Sequence, residues 1–311
     1  MTPAYAPSSM ASIAPAGAAT RSAGTVVRDL VSLTKPRIIE LLLVTTLPTM
    51  FVARKGVPPV GLMVATLVGG ALAAGGANAI NMVVDRDIDS VMDRTRNRPL
   101  VTGRISPGAA LAFALLLEAV AFVELWTSVN LLSAVLAVAA TLFYVLVYTL
   151  WLKRTTRQNI VVGGAAGAVP VLVGWTAVTG RLAWAPAVLF AIVFFWTPPH
   201  FWALAVRYRG DYEAAHVPMM PVVASLRHTA RLIFRYAFLV VVASVFFAWI
   251  GDMGAVYTAA AVLLGGSFLA QAAKLVREHS PGVAMRLFHY SISYLGLLFV
   301  AMAVDVVVRH P

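Results

Sequence analysis

Nine apolar runs, at about residues 38–54, 60–84, 108–127, 131–151, 160–179, 184–206, 232–250, 255–273 and 286–307, decide what this chain can become. As a helix, each is long enough to cross roughly 30 Å of hydrocarbon. Inside a bilayer no water satisfies the backbone N–H and C=O groups, so only helices and closed barrels span it. A barrel would read as segments of ~10 alternating residues, and these runs are continuous. The expected fold is therefore all-α, a polytopic membrane protein of nine transmembrane helices. Composition agrees: 60% of the 311 residues are hydrophobic and 12% charged, against about 25% charged in soluble domains.

The net charge of +11 would suggest nucleic acid in a soluble chain. Here the distribution gives another reading. Laid on the nine spans, 20 of the 24 basic residues fall on one side, leaving Arg54, Lys55, Arg181 and Arg309 on the other. The positive-inside rule then places the N-terminus and the two long polar loops, 85–107 and 207–231, in the cytoplasm and the C-terminus outside. The expected partner of those charges is the anionic face of the cell (inner) membrane, with no nucleic acid involved. The absence of cysteine excludes disulfides and thiolate metal sites. Residues 1–30, rich in Ala, Pro, Ser and Thr, read as a disordered cytoplasmic tail, and 31–311 as a single transmembrane domain.

Charge is scarce, so its concentration is informative. The stretch NAINMVVDRDIDSVMDRTRNRPL, residues 78–100, holds four of the chain's thirteen acids. Asn81, Asp85 and Asp89 recur every four residues, one stripe of a helix with Asp87 pointing away. Oxygen ligands grouped at one membrane face suit Mg²⁺, which takes one or two carboxylates and completes its shell with water and phosphate oxygens. Arg94, Arg96 and Arg98 follow, and arginine grips phosphate in bidentate fashion. A solvated mixed-charge loop would look similar, but Asn81 lies inside an apolar helix, where a polar group needs a purpose. Lys35 and Arg37, flanking Pro36 before the first span, approach the same cytoplasmic end.

A second concentration runs WTPPHFWALAVRYRGDYEAAHVPMMP, residues 196–221. Pro198 and Pro199 are expected to break or kink the sixth span. His200 follows among Phe194, Phe195, Trp196, Phe201 and Trp202, with Arg207, Arg209, Asp211 and Tyr212 just beyond. Such a cluster is an interfacial belt, a shelter for a carbocation or a platform for a flat macrocycle. Glu40, Glu118, Glu124 and Asp305 are further acids within or near the ends of spans, each with a structural or a functional reading open. The Gly/Ala clusters at 69–77 and 163–168 are expected to let helices pack closely.

The pattern from Asn81 to Leu100 followed by VTGRISP, with TKPR at 34–37 and TPPHFWALA, DY and VPMMP on the sixth span and its loop, resembles the UbiA superfamily of intramembrane prenyltransferases, in the form carried by its protohaem-farnesylating branch. The likeness covers about residues 32–307. It implies a UbiA-like bundle that transfers farnesyl from farnesyl diphosphate to a vinyl group of protohaem IX, giving haem O. It also implies Mg²⁺ as cofactor and, downstream, a haem A synthase as partner. On that resemblance Asn81, Asp85 and Asp89 hold metal on the diphosphate, and Arg94 and Arg98 bind its phosphates. Lys35, Arg37, Arg207, Arg209 and Tyr212 are further substrate-binding candidates, and Asp211 completes the metal set. Asp85, Asp89, His200 and Asp211 are the expected catalytic residues, with His200 an iron ligand, a porphyrin orienter or a proton carrier.

One departure stands out. Most superfamily members carry two or more aspartates after the sixth span, whereas here Asp211 stands with His200, so a second fully acidic metal shell is in doubt. Two rivals remain: a UbiA-like enzyme with an aromatic acid or quinone-precursor acceptor, and a transporter. The latter would place acids near the bilayer midplane and break helices in both halves.

Overall fold

The computed structural model describes residues 22–310, and among these every regular element is helical. In chain order they are α1 (Ala23–Leu33), α2 (Pro36–Arg54), α3 (Val60–Val84), α4 (Arg86–Val91), α5 (Pro107–Ser128) and α6 (Leu131–Leu142). A π-helical segment (Phe143–Leu152) and the single turn α7 (Lys153–Thr155) continue α6. Then come α8 (Asn159–Thr179), α9 (Trp184–Arg207), the short α10 (Arg209–Ala214) and α11 (Met220–Val223), α12 (Leu226–Ile250), α13 (Ala255–Glu278) and α14 (Pro281–Arg309). Among the described residues nine helices are long and apolar enough to cross a membrane, the fourth being Leu131–Thr155 taken whole.

The spans form a closed ring. Sequence neighbours pack side by side from α3 through α5, α6, α8, α9, α12 and α13 to α14, which returns against α9 and α2. Small residues set the closest approaches. A methyl group on Gly174 of α8 would lie 2.5 Å from the Thr46 carbonyl of α2, and one on Gly164 would lie 2.9 Å from Thr197 of α9. Outward faces carry exposed apolar side chains such as Leu116, Trp249 and Leu263, as a lipid-facing surface requires.

Several expectations need correction. The segment 23–30 is not disordered: it belongs to α1, whose cap Ser22 accepts from the Thr25 N–H and which buries Asp29 and Leu33 against the bundle. Residues 1–21 of the expected tail lie outside the described residues. Pro198 and Pro199 do not break the sixth span, because α9 runs through both. Neighbouring helices hold its backbone where the ladder loses N–H donors. The helices α12 and α14 begin at Leu226 and Pro281, about a turn and a half before their apolar runs, because their first turns carry Arg227, His228, Arg231 and Arg286 beyond the expected hydrocarbon.

Two of the intramembrane acids have partners that tie helices together. Asp305 of α14 accepts from the backbone N–H groups of Gly254 (2.6 Å) and Tyr257 (3.2 Å), capping the positive end of α13. Glu118 accepts from Thr141 at 3.0 Å between α5 and α6.

Candidate active site

The site grows from the end of α3. That helix stops at Val84, and Asp85 joins it to α4 with φ −86° and ψ 8°. The i→i−4 bonds nevertheless continue, from the Asp85 N–H to the Asn81 carbonyl (2.9 Å) and from Asp89 to Asp85 (2.8 Å). The four-residue spacing therefore survives a change of helix, and Asn81, Asp85 and Asp89 are all buried.

Buried carboxylates are costly unless cations answer them. Lys153 of α7 donates to Asp85 Oδ2, and Arg154 stands 3.8 Å from Asp85 Oδ1. Arg98 donates to Asp89 Oδ2 at 2.6 Å, and Lys35 Nζ donates to Asn81 Oδ1 at 2.7 Å. The Asn81 amide in turn donates to Asp85 Oδ2 (2.8 Å) and to Thr149 Oγ1 (3.0 Å). Asp87 does point away, into a two-pronged pair with Arg154 at 2.7 and 2.8 Å. That hydrogen bonding holds its carboxyl at about 2. Burial, then the nearby Arg98 and Lys153 charges, brings the Lys35 ammonium down to about 7. Four basic groups, Lys35, Arg98, Lys153 and Arg154, thus face three carboxylates, Asp85, Asp87 and Asp89, a balance that an incoming polyanion would complete.

The loop after α9 closes on this cluster. The Arg94 N–H donates to Asp211 Oδ2 at 3.4 Å across 117 residues. The Arg94 guanidinium lies over the Tyr208 ring, 5.4 Å from its centroid, and hydrogen-bonds the Tyr212 hydroxyl, which is pushed up by burial. Arg37, Arg207 and Arg209 are exposed and form no ion pair among the described residues.

Beneath the charges lies a cavity of about 240 Å³. Ile38 and Leu42 of α2, Ala73 and Ala77 of α3, Tyr144 and Tyr148 of the π segment, Gly163 and Gly167 of α8, and Phe201 of α9 line much of it. Its span along α3, from Asn78 to Thr66, corresponds to roughly 18 Å of helix.

His200 belongs to another arrangement. Its Nδ1 is 2.8 Å from Ser291 Oγ of α14. Its ring stacks between Trp196 (4.2 Å, 18°) and Phe288 (4.6 Å, 27°). It makes no hydrogen bond to the acidic cluster and lies two turns of α9 before Arg207.

No group of three or more His, Asp, Glu or Cys side chains converges among the described residues. A complete protein cage for a metal is therefore not built, yet the donor set fits Mg²⁺, which needs only one or two carboxylates when phosphate supplies the rest. Asp85 Oδ1 is buried and accepts no hydrogen bond, the mark of an open ligand position.

Sequence reasoning counted Lys153 and Arg154 as topology charges and gave Thr149, Tyr144, Tyr148 and Ser291 no role. The available signal was that LKR, residues 152–154, ends the fourth span on the same side as Asp85. Nothing in the spacing said that the two ends meet.

A membrane-spanning ring with a charged head site above an apolar cavity defines a class: an intramembrane protein for ligands that are half polyanion, half hydrocarbon. The chain belongs to the UbiA prenyltransferase family, whose sequence model matches residues 42–300. It is 51% identical to the protoheme IX farnesyltransferase of Streptomyces coelicolor, over 93% of this chain and 94% of that one. It is 53% identical to that of Symbiobacterium thermophilum, over 91% and 95%. Among solved structures it is similar to a digeranylgeranylglyceryl phosphate synthase, with a TM-score of 0.74 at 16% identity over 90% of this chain and 98% of that one. It is also similar to a UbiA homologue from Archaeoglobus fulgidus bound to GPP and Mg²⁺, with a TM-score of 0.63 at 16% identity over 88% and 99%.

Proposed function

We propose that the chain transfers the farnesyl group of farnesyl diphosphate to a vinyl group of protohaem IX, giving haem O and diphosphate. The observation that carries this reading is the likeness to protohaem IX farnesyltransferases at about half identity over nearly the whole length. The site makes chemical sense of it. A diphosphate would sit among Lys35, Arg98 and Lys153, and its hydrocarbon chain would descend past Tyr144 and Tyr148 into the cavity.

When the farnesyl C1–O bond breaks, its electron pair leaves on the diphosphate. Fixed positive groups that do not reorganise stabilise that developing charge. Asp85 and Asp89, with the Asn81 amide oxygen, would hold Mg²⁺, which supplies further neutralisation of the leaving group. Asp211 joins from the loop after α9. The allylic cation is sheltered by ring faces such as Tyr144 and Tyr148 and by walls that keep water out until the vinyl carbon attacks. That attack leaves positive charge on the porphyrin-side carbon, where water adds and gives up a proton to the released diphosphate, leaving a hydroxyethylfarnesyl arm. His200, held between Trp196 and Phe288, belongs with the flat acceptor. The basic face lies in the cytoplasm of the cell membrane and the C-terminus outside, and haem O passes to a haem A synthase.

The test is chromatographic. Membranes containing the protein, given protohaem and farnesyl diphosphate, should form a more hydrophobic haem only when Mg²⁺ is present. If the farnesyl label appeared instead on an aromatic acid or quinone precursor, with haem unchanged, the assigned acceptor would be wrong.

A further inference from the structure

The π-helical segment Phe143–Leu152 interrupts a span that would otherwise be one α-helix. Such segments shift every later side chain around the helix axis and are frequent at functional sites. Its effect on one hydroxyl is readable. Elsewhere in the spans, threonines that donate to their own helix return the proton three or four residues back, as Thr46 does to Leu42, Thr49 to Thr45, Thr66 to Leu62 and Thr197 to Val193. Thr149 instead donates five back, to the Tyr144 carbonyl at 2.8 Å. It is wholly buried and faces α3.

A hydroxyl carries one proton. With that proton committed to Tyr144, Thr149 Oγ1 can only accept, and what it accepts is the Asn81 amide N–H at 3.0 Å. The same nitrogen donates to Asp85 Oδ2. Both amide protons are then used, and the Asn81 oxygen is forced to the opposite side, where Lys35 donates to it. An amide's oxygen and nitrogen are close to interchangeable in shape, so its orientation is set by its partners. Here an acceptor-only hydroxyl and the Asp85 carboxylate agree on one orientation, with Lys35 donating to the oxygen on the other side. The flipped amide would set its NH₂ against Lys35 and its oxygen against a carboxylate.

We propose that Thr149 is a positioning residue: its proton returns to the Tyr144 carbonyl of the π turn, its oxygen accepts the Asn81 N–H, and the Asn81 carbonyl oxygen is thereby held on the Lys35 side, toward the diphosphate and cation. The inference rests on the reading of Asn81, Asp85 and Asp89 as that site. Thr149 touches no substrate in this account and acts only through Asn81. Replacing it by valine keeps its shape and removes the acceptor. The Asn81 N–H₂ then keeps one acceptor, Asp85, for which an approaching cation also competes, and Lys35 alone holds the oxygen side.

The experiment uses the full-length protein in detergent, with inorganic diphosphate and Mn²⁺ as probes, and reads bound Mn²⁺ by electron paramagnetic resonance. Thr149→Val should weaken Mn²⁺–diphosphate binding about tenfold, the scale of one buried hydrogen bond, while Thr149→Ser stays within about twofold of wild type. In an Asn81→Ala background, Thr149→Val should cost nothing further, because the residue it acts through is gone. Size-exclusion profiles gauge folding, and Thr149→Ala replaces the valine variant, with the same expected loss, should valine disrupt the π turn. Wild-type binding by the valine variant would overturn the proposal. So would an equal loss in the serine variant, or a full additional loss in the Asn81→Ala background. Failure of the wild type itself to bind Mn²⁺ and diphosphate would overturn the site reading, and this proposal with it.

Discussion

The two polar centres of the molecule are built in opposite ways. Around Asp85 and Asp89 every charge is answered by a side chain from another part of the chain: Lys35, Arg98, Lys153 and Arg154 converge on α3 and α4. Around His200 one hydrogen bond, to Ser291, is surrounded by ring faces. The first centre suits a ligand defined by charge, the second one defined by a flat apolar surface. On the proposed function, the donor would be recognised at the first centre and the acceptor at the second, and variants should divide accordingly.

The largest effect belongs to the charged centre. Asp85→Asn or Asp85→Ala should lower turnover by about 10³-fold, as loss of a group placed on developing charge does, with folded protein retained in detergent. Chelation of divalent cations should silence the wild type equally and reversibly, measured by haem chromatography. Turnover at the wild-type rate in either case would break the assignment of this centre to the diphosphate.

Next comes the aromatic centre. His200→Ala removes a stacked ring and a buried hydrogen bond, so haem turnover should fall on the order of thirtyfold. Inorganic diphosphate binding should be unchanged. A loss of diphosphate affinity there would erase the separation between the two halves.

A third variant probes the apolar cavity beneath the charged centre. Gly167 lines the cavity, and a methyl added to it meets nothing within 4 Å. Gly167→Leu should raise the KM for farnesyl diphosphate roughly tenfold, the scale of an overpacked site, and leave inorganic diphosphate untouched. An unchanged KM would remove the hydrocarbon chain from this cavity. The smallest effect on chemistry is expected at Asp305, which caps α13 through two backbone N–H groups and bonds to neither centre. Asp305→Ala should cost about 1–2 kcal/mol of stability, read in thermal unfolding, with kcat unaltered.

How much of this was legible beforehand depends on range. The spacing of Asn81, Asp85 and Asp89 needs only local backbone geometry, and it holds even though the helix changes at Asp85. The prolines of α9 allowed for a break that does not occur, because the helix runs through both. Lys153 could be counted for topology but not assigned to Asp85, 68 residues away. Thr149 was invisible, since its direction depends on a π turn that its own residues do not announce.

The sequence by itself determined a membrane protein of helices with its basic residues on one side, because bilayer thickness and backbone polarity admit little else. It also determined a rare grouping of carboxylates at that side. Only the tertiary structure decided which cations answer which acids, which face His200 presents, and where the cavity runs. Most of those are contacts between residues tens to more than a hundred positions apart, and they form only when the helices have packed.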